Sequence, residues 1–275
     1  MPTRKKRKLR LWALLTVVFG ALALITLAIN AFVKPAPVQE GKEKAVANAE
    51  LPEKSDVTEE SEETADEPQE EEEPIIVADP FTDTDSLLLL ANKKHPLPDG
   101  YAPYDLREPN VASVYDSAPM RDEAAAALEE MFAAAAEDGV TLLLGSGYRS
   151  QEYQYQLYSG YCDQYGCEVA DTISSRPGFS DHQTGLAADI ADHDRATYLT
   201  QEMEDTPEGI WLRNHAHEYG FIMRYPKGKE EITGYAYEPW HFRYVGRDYA
   251  AAIYNVDEFC SFEEYFGVEG GDYYE

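Results

Sequence analysis

The uncharged stretch near the N-terminus is the feature that most limits how this chain can fold. Residues Leu11 to Val33 carry no charged side chain, and the basic segment Arg4 to Arg10 precedes them. As an α-helix with a rise of ~1.5 Å per residue, the stretch would be about 34 Å long, enough to cross a bilayer core of about 30 Å. Basic residues flanking such a helix stay in the cytoplasm. We therefore predict a cytoplasmic tail at residues 1–10 and a single transmembrane helix at residues 11–33, with the remainder outside the cell.

A cleaved signal peptide is the alternative interpretation of this stretch. The apolar region of a signal peptide is usually ~7–15 residues long and ends at a small-residue cleavage site. The stretch here is longer and has no convincing Ala-x-Ala sequence. The sequence therefore favours an anchor that is retained.

Strong negative charge marks the segment that follows. The chain of 275 residues has a formal net charge of −29, and much of it lies between Gln39 and Glu73, with acidic runs at residues 59–63 and 70–73. Such runs repel one another and cannot bury apolar surface. We predict a disordered acidic stalk at residues 34–79, with a specific acidic binding tail as the alternative. Since the basic cluster flanks the membrane segment, nothing favours a nucleic-acid partner.

The remaining residues, 80–275, are expected to form one folded, monomeric extracytoplasmic domain. Apolar periodicity, capping residues and aromatic runs predict helices and strands without regular alternation, which favours an α+β fold over a doubly wound sheet. The predicted strands are Leu87–Leu90, Val140–Leu144, Phe221–Tyr225 and Tyr235–Val245, and the predicted helices are Pro119–Asp138, Glu152–Tyr161 and Pro207–Tyr219. Ser150 or Gln151 is expected near the start of the second helix, and Thr206 and Gly220 are expected at the two ends of the third. The apolar stripe of the first helix, Leu128, Met131, Phe132 and Ala135, is expected to be core.

Three cysteines, Cys162, Cys167 and Cys260, lie in this exported part. In an oxidising compartment the first two can close a small loop, or all three can remain thiols. The Cys-x4-Cys spacing without a second pair is a weak signal for a zinc site.

Chemistry is concentrated in two short segments. In Ser180–Asp189, the Thr184-Gly185 turn lets His182 and Asp189 converge, because Asp189 faces away from the core positions of the strand that follows. His241 is the best candidate for a third ligand. Zinc accepts imidazole nitrogen and carboxylate oxygen, and three protein ligands leave a position for water.

Glu238 lies three residues before His241, and Pro239 disfavours a helical conformation at Glu238. An extended or kinked segment can still place this carboxylate beside the metal as a general base. Taken singly, a buried His or a strand-end Asp is more often structural, but this combination has no common structural purpose. Three of the remaining histidines, His193, His215 and His217, are expected to lie outside the site.

The two segments resemble the paired signatures of a known family. The patterns Ser180-x-His182-x-x-Gly185-x-Ala187-x-Asp189 and Glu238-x-Trp240-His241 are similar to those of the VanY-type zinc D-alanyl-D-alanine carboxypeptidases, in the group (peptidase family M15, LAS-type metallopeptidases) that also contains the vancomycin-resistance dipeptidases. Asp181 stands where the family more often has Glu, a departure that is not expected to affect ligation. Further agreement occurs at residues 92–93, 96–98, 145–150, 176–179 and 225–229.

The resemblance implies a Hedgehog/D-Ala-D-Ala-peptidase-like domain with a small antiparallel sheet flanked by helices. It implies that His182, Asp189 and His241 bind Zn2+ and that Glu238 is the catalytic base. It places Arg149 in the active site, for the substrate carboxylate or the developing oxyanion. It also implies a peptide groove lined by Gln154, Ser174 or Ser175, and, more weakly, Tyr235.

The expected function is removal of the C-terminal D-alanine from peptidoglycan stem peptides outside a bacterial cell. Pentapeptides ending in D-Ala-D-Ala are the first expectation, and L,D-carboxypeptidase action on tetrapeptides is the second. The alternatives are a non-catalytic zinc-stabilised binding or sensor ectodomain and a peptidoglycan endopeptidase. Since the base and all three ligands are present, the sequence favours the enzyme.

Overall fold

The structure, a computed structural model, describes residues 79–274. The predicted tail, transmembrane helix and almost all of the predicted stalk lie outside these residues. Within the described part of the chain, no helix is long and apolar enough to cross a membrane.

Short strands and seven α-helices make up the described region, joined by loops and three 3-10 turns. The strands are β1 (Leu106–Arg107), β2 (Met120–Arg121), β3 (Leu143–Ser146), β4 (Ala187–Ala191), β5 (Phe221–Met223) and β6 (His241–Tyr244). The helices are α1 (Asp122–Glu137), α2 (Gln151–Tyr165), α3 (Cys167–Ile173), α4 (Pro207–His215), α5 (Glu230–Thr233), α6 (Arg247–Val256) and α7 (Phe262–Phe266). The predicted α+β class is confirmed.

The central sheet has four antiparallel strands in the order β3-β4-β6-β5. Strand β4 is inside the sheet, and all five of its residues are buried. Its neighbours come from distant parts of the chain, so the sheet brings the Ser180–Asp189 segment against the segment that ends at His241. β1 and β2 form a separate two-stranded ribbon.

Helix α1 covers one face of this sheet. Its predicted stripe, Leu128, Met131, Phe132 and Ala135, is buried in the main core, as the 3- and 4-residue spacing requires. Replacing Leu128 with Ala would cost about 2–5 kcal/mol of folding free energy. The helix begins later than predicted, at Asp122, because residues 120–121 pair with β1 instead.

The capping residues agree with the sequence, and of the two candidates for α2 the cap is Ser150. Ser150 caps α2, its hydroxyl oxygen accepting the N–H of Tyr153 at 3.2 Å. Thr206 caps α4 in the same way through Gly209, and Gly220 ends the following 3-10 turn in the left-handed region. Such local signals are readable from sequence since donor and acceptor lie within one turn.

Two predicted strands are wrong in kind or extent. Residues 87–90 are mostly buried but form no strand, because the guanidinium of Arg243 donates to the carbonyls of Leu87 and Leu89, 3.1 and 2.6 Å away. Of Tyr235–Val245, only β6 is a strand. β3 and β5 also differ from the predicted bounds, β3 starting three residues later and β5 ending two residues earlier.

Cys162 and Cys167 form a disulfide, which joins the end of α2 to the start of α3. Cys260 is a buried free thiol. The pairing that the sequence left open is therefore the local one.

Candidate metal centre

A cross-strand pair forms the base of the site. Asp189 of β4 lies directly opposite His241 of β6 in the antiparallel register. His182 reaches the same point from the 3-10 turn Asp181–Thr184, and ligand atoms of the three side chains lie within 4.8 Å of one another. Each of the three is at least 96 % buried. The structure thus brings together the three residues predicted as ligands.

The turn that carries His182 is held by its own side chains. The hydroxyl of Thr184 donates to the carbonyl of Asp181 at 2.6 Å and accepts the N–H of Leu186 at 3.1 Å. Gly185 then adopts φ 71°, a left-handed conformation in which a Cβ would lie 3.0 Å from Arg121 and Pro103. Glycine is needed here both for its backbone freedom and for its lack of volume.

A carbonyl group sets the tautomer of His182. Nδ1 lies 2.7 Å from the carbonyl oxygen of Gly147, which can only accept, so this nitrogen carries the proton and donates. Nε2 therefore presents its lone pair to the centre of the cluster, 3.2 Å from Oδ2 of Asp189. A fixed tautomer of this kind is what a metal-ligating imidazole requires.

In His241 the two ring nitrogens have exchanged roles, with Nδ1 towards the cluster and Nε2 away from it. Its Nε2 lies 3.2 Å from Oδ2 of Asp181, and its Nδ1 lies 3.1 Å from Oδ1 of Asp189. Burial raises the pKa of the Asp181 carboxyl, but Arg243 and the other groups hold it well below its usual range. An ionised Asp181 accepts the Nε2 proton, so the neutral imidazole of His241 has its Nδ1 lone pair facing Asp189 and the centre.

The lone pairs of the three ligand atoms converge at this point, an arrangement suited to binding a divalent cation. Nε2 of His182 and Oδ1 of Asp189 are buried and lack a hydrogen-bond partner. Buried polar atoms are otherwise almost always paired, so two of them in contact with a third ligand atom indicate a bound cation. Two imidazole nitrogens and one carboxylate are a zinc donor set that leaves a position for water.

The surrounding groups shift the pKa values of the two imidazoles in opposite directions. Burial, together with the positive Arg149, lowers the pKa of His182 to about 4. Burial also opposes a charge on His241, yet hydrogen bonds to Asp181 and Asp189 raise its pKa to about 9. The surroundings of His241 therefore attract positive charge, from a proton or from a metal ion.

Glu238 lies beside this centre. Its Oε2 is 3.5 Å from Nδ1 of His241, and its side chain is 15 % exposed. A turn at Pro239 and Trp240 places it there: the N–H of Glu238 donates to the carbonyl of Tyr225, and the N–H of His241 donates to the carbonyl of Glu238. Burial raises the pKa of Glu238 to about 7, so the carboxyl can both take and give a proton near neutral pH.

Arg149 lies on another side of the cluster. Its Nη2 donates to Oδ2 of Asp189 at 3.3 Å and its Nη1 to Oε1 of Gln154 at 3.3 Å, while the side chain remains 21 % exposed. Its backbone N–H bonds the carbonyl of His182. The guanidinium is therefore anchored to the centre but can still meet a ligand from solvent.

The other residues predicted to line a groove form one chain of hydrogen bonds. Gln154 donates to the hydroxyl of Ser174 at 3.0 Å and to the carbonyl of Ser175 at 2.8 Å, and Tyr235 donates to the hydroxyl of Ser175 at 2.8 Å. Gln154, Ser175 and Tyr235 are buried, whereas Ser174 is partly exposed. Through Gln154, this series of hydrogen bonds supports the guanidinium of Arg149.

Trp240 and three histidines outside the ligand set make structural contacts. Trp240 is in the main core. His193 and His215 bond nearby glutamates, and His217 stacks on Tyr254 with ring centroids 3.6 Å apart. In the described part of the chain, none of these histidines joins the three-residue cluster.

Sequence reasoning missed Asp181. The structure shows it fully buried in contact with His241 and with Arg243, a role that the sequence did not assign to this position. A signal was available, since Asp181 precedes a predicted ligand and cannot be buried without partners. The partners themselves, some sixty residues away, could not be read from spacing.

The fold and the site define a zinc-type metallopeptidase domain, and comparisons with known proteins agree. Residues 117–247 match the family model "VanY: D-alanyl-D-alanine carboxypeptidase". A D-alanyl-D-alanine carboxypeptidase of Enterococcus faecalis is 34% identical over 193 residues, which cover 66% of this chain and 66% of the relative.

Solved structures extend the likeness. The LdcB LD-carboxypeptidase is 41% identical with a TM-score of 0.64, covering 68% of this chain and 89% of that one. A vancomycin-resistance D,D-pentapeptidase VanY variant in complex with Zn(II) is 32% identical with a TM-score of 0.52. The match covers 61% of this chain and 92% of that one. The chain belongs to the VanY D-alanyl-D-alanine carboxypeptidase family. The predicted enzyme class, a metallocarboxypeptidase, and zinc as its cofactor are thereby confirmed.

Proposed function

We propose that this protein is a zinc carboxypeptidase that removes the C-terminal D-alanine from peptidoglycan stem peptides. The observation that carries the proposal is the three-ligand cluster with two partly exposed side chains, Glu238 and Arg149, next to it. The family relatives act on D-Ala-D-Ala or are LD-carboxypeptidases by name.

His182 and His241 would hold the metal through Nε2 and Nδ1, and Asp189 through a carboxylate oxygen. When bound, zinc supplies the Lewis acidity that makes water a nucleophile at neutral pH. Glu238 takes a proton from the attacking water as the new C–O bond forms. It returns a proton to the amide nitrogen as the C–N bond breaks, which releases D-alanine and the shortened peptide.

Arg149 would orient the peptide. Its guanidinium can bind the terminal carboxylate through two parallel N–H donors, or stabilise the oxyanion that develops at the scissile carbonyl. Gln154, which bonds Arg149, and the Ser174, Ser175 and Tyr235 chain behind it keep this guanidinium in place. Of the five residues predicted to bind the peptide, Arg149 and the partly exposed Ser174 face it in this proposal, whereas Gln154, Ser175 and Tyr235 are buried behind them.

Two substrates compete within this proposal. D,D-carboxypeptidase action on pentapeptides is supported by the family model and by the Enterococcus relative. L,D-carboxypeptidase action on tetrapeptides is supported by the LdcB structure, whose identity and TM-score, 41% and 0.64, exceed the 32% and 0.52 of the D,D-pentapeptidase. The two activities differ in the configuration of the penultimate residue.

One experiment tests the function and separates the substrates. Purified full-length protein with zinc is incubated with pentapeptide and tetrapeptide muropeptides, with and without a chelator. The masses of the products are then measured by mass spectrometry. We expect loss of one alanine residue that the chelator prevents. Release of no alanine from either peptide would reject the proposal, and cleavage of peptides with a blocked C-terminus would favour an endopeptidase.

We also propose that residues 11–33 anchor the protein in the cell membrane with residues 1–10 in the cytoplasm. Residues 34–79 would then be a stalk that holds the catalytic domain outside, where the substrate is found. Protease added to intact protoplasts should digest the catalytic domain while a tag on residues 1–10 stays protected. Protection of both ends would contradict this topology.

A further inference from the structure

The carboxylate of Asp181 belongs to a buried network of charges that extends well beyond the metal centre. One oxygen accepts the Nε2 proton of His241 at 3.2 Å, and the other accepts a short bond from Nη1 of Arg243. Nε of Arg224 lies 3.9 Å from the same carboxylate. The side chains of Asp181, Arg224 and Arg243 are fully buried.

Arg224 is held in turn by the C-terminal helix. Both oxygens of Glu263, at the start of α7, accept bonds from its guanidinium at 2.7 and 2.8 Å, in the two-pronged geometry typical of strong Arg–carboxylate pairs. The side-chain amide of Asn92 also donates to Oε1 of Glu263, at 2.9 Å. Glu263 is 2 % exposed, so water does not screen these bonds.

The charges of this network balance. Two guanidinium groups, Arg224 and Arg243, face two carboxylates, Asp181 and Glu263, and all four are buried. In a buried network, removing one charge leaves its partner uncompensated and drives that partner towards the next opposite charge. Within the described residues, the carboxylates within 4 Å of Arg224 are Glu263 and Asp181. Without Glu263, Arg224 would therefore compete with His241 for Asp181.

We infer that Glu263 is a positioning residue for the metal ligand His241, acting through Arg224 and Asp181. It keeps Arg224 engaged, so that Asp181 remains available to fix the His241 tautomer with Nδ1 towards the metal. Glu263 and Asn92 both lie outside residues 117–247, the part of the chain that matches the family model. The inference rests on the ligand set of the proposed function.

The test is the zinc affinity of full-length Glu263→Gln, measured by competition with a chromogenic chelator. Outer-sphere partners of metal ligands typically change metal affinity about 10–100-fold, and we expect a loss of about tenfold here. At saturating zinc, KM should stay within about twofold of wild type, because the substrate contacts are untouched. Glu129→Gln, which removes the carboxylate from the partly exposed pair with Arg107, is the control and should bind zinc like wild type.

A lower melting temperature with wild-type zinc affinity would show that Glu263 is only structural and would overturn the inference. If Glu263→Gln does not fold, Glu263→Asp keeps the charge but withdraws it by one methylene. Its zinc affinity should be lower than that of the wild type, and an unchanged affinity would likewise overturn the inference. A wild type that binds zinc but releases no D-alanine would contradict the proposed function and leave this inference standing.

Discussion

Asp181 and His241, sixty residues apart in the chain, meet inside the protein with Oδ2 and Nε2 3.2 Å apart. This contact decides which nitrogen of His241 can bind a metal. His182 is set by a backbone carbonyl and presents Nε2, whereas His241 is set by a carboxylate and presents Nδ1. The two imidazoles therefore approach the same point with different atoms, their rings inclined at 78°.

Replacing Glu238 with Ala should slow turnover strongly without removing the metal. Glu238 lies 3.5 Å from His241 but is not needed for the three-ligand set. General acid–base groups contribute typically 10²–10⁴-fold, so we expect kcat to fall by about that factor. The measurement is D-alanine release together with zinc content by atomic absorption. Loss of zinc along with activity would instead make Glu238 a ligand.

Replacing Arg149 with Lys should weaken the substrate contact, since an ammonium cannot donate in the parallel geometry of a guanidinium. We expect kcat/KM to fall about 10–100-fold, which corresponds to a charge-assisted hydrogen bond of about 1.5–3 kcal/mol. The kinetic constants then identify the contact. A higher KM with unchanged kcat indicates the terminal carboxylate, and a lower kcat with unchanged KM indicates the oxyanion.

Removing zinc should lower stability as well as activity. A ligand present at 100 times its Kd stabilises the folded state by about 2.7 kcal/mol, and chelation should remove that amount. His182→Ala should lose the zinc-dependent part of the melting temperature, because one of the three ligands is gone. His193→Ala is the matched control, since His193 lies outside the cluster and bonds Glu208. An equal zinc response in both variants would contradict the ligand assignment.

Replacing Gly147 with Ala should disturb the metal centre through the backbone carbonyl that bonds His182. A Cβ there would lie 2.4 Å from the carbonyl oxygen of Pro119 and 2.6 Å from that of Ala118, so the backbone that accepts the His182 proton must shift. We expect about 1–3 kcal/mol lower stability in denaturant titration and weaker zinc binding.

Gly160→Ala is the control for that substitution. Gly160 is in helix α2 with no heavy atom within 4 Å of the added Cβ, so alanine there should raise stability by about 0.5–1 kcal/mol and leave zinc binding unchanged. If both variants behave alike, the crowding at Gly147 is not what places His182.

Local features were the ones that sequence reasoning predicted correctly. The caps Ser150 and Thr206, the stripe of α1 and the turn at Gly185 depend on residues within one or two turns of each other. The buried run at Leu87–Leu90 was predicted wrongly as a strand, because its carbonyls bond Arg243, more than 150 residues away.

The sequence by itself determined the donor set: two imidazoles and a carboxylate in two recognisable motifs, with a glutamate beside the last ligand. Only the tertiary structure decided which nitrogen of each imidazole faces the metal site. It also decided that Asp181 bonds Nε2 of His241 and that Glu263 bonds Arg224. The reason is physical. Residue identity fixes which atoms can donate or accept, but the partner of a buried charge is chosen by packing between segments that sequence spacing does not relate.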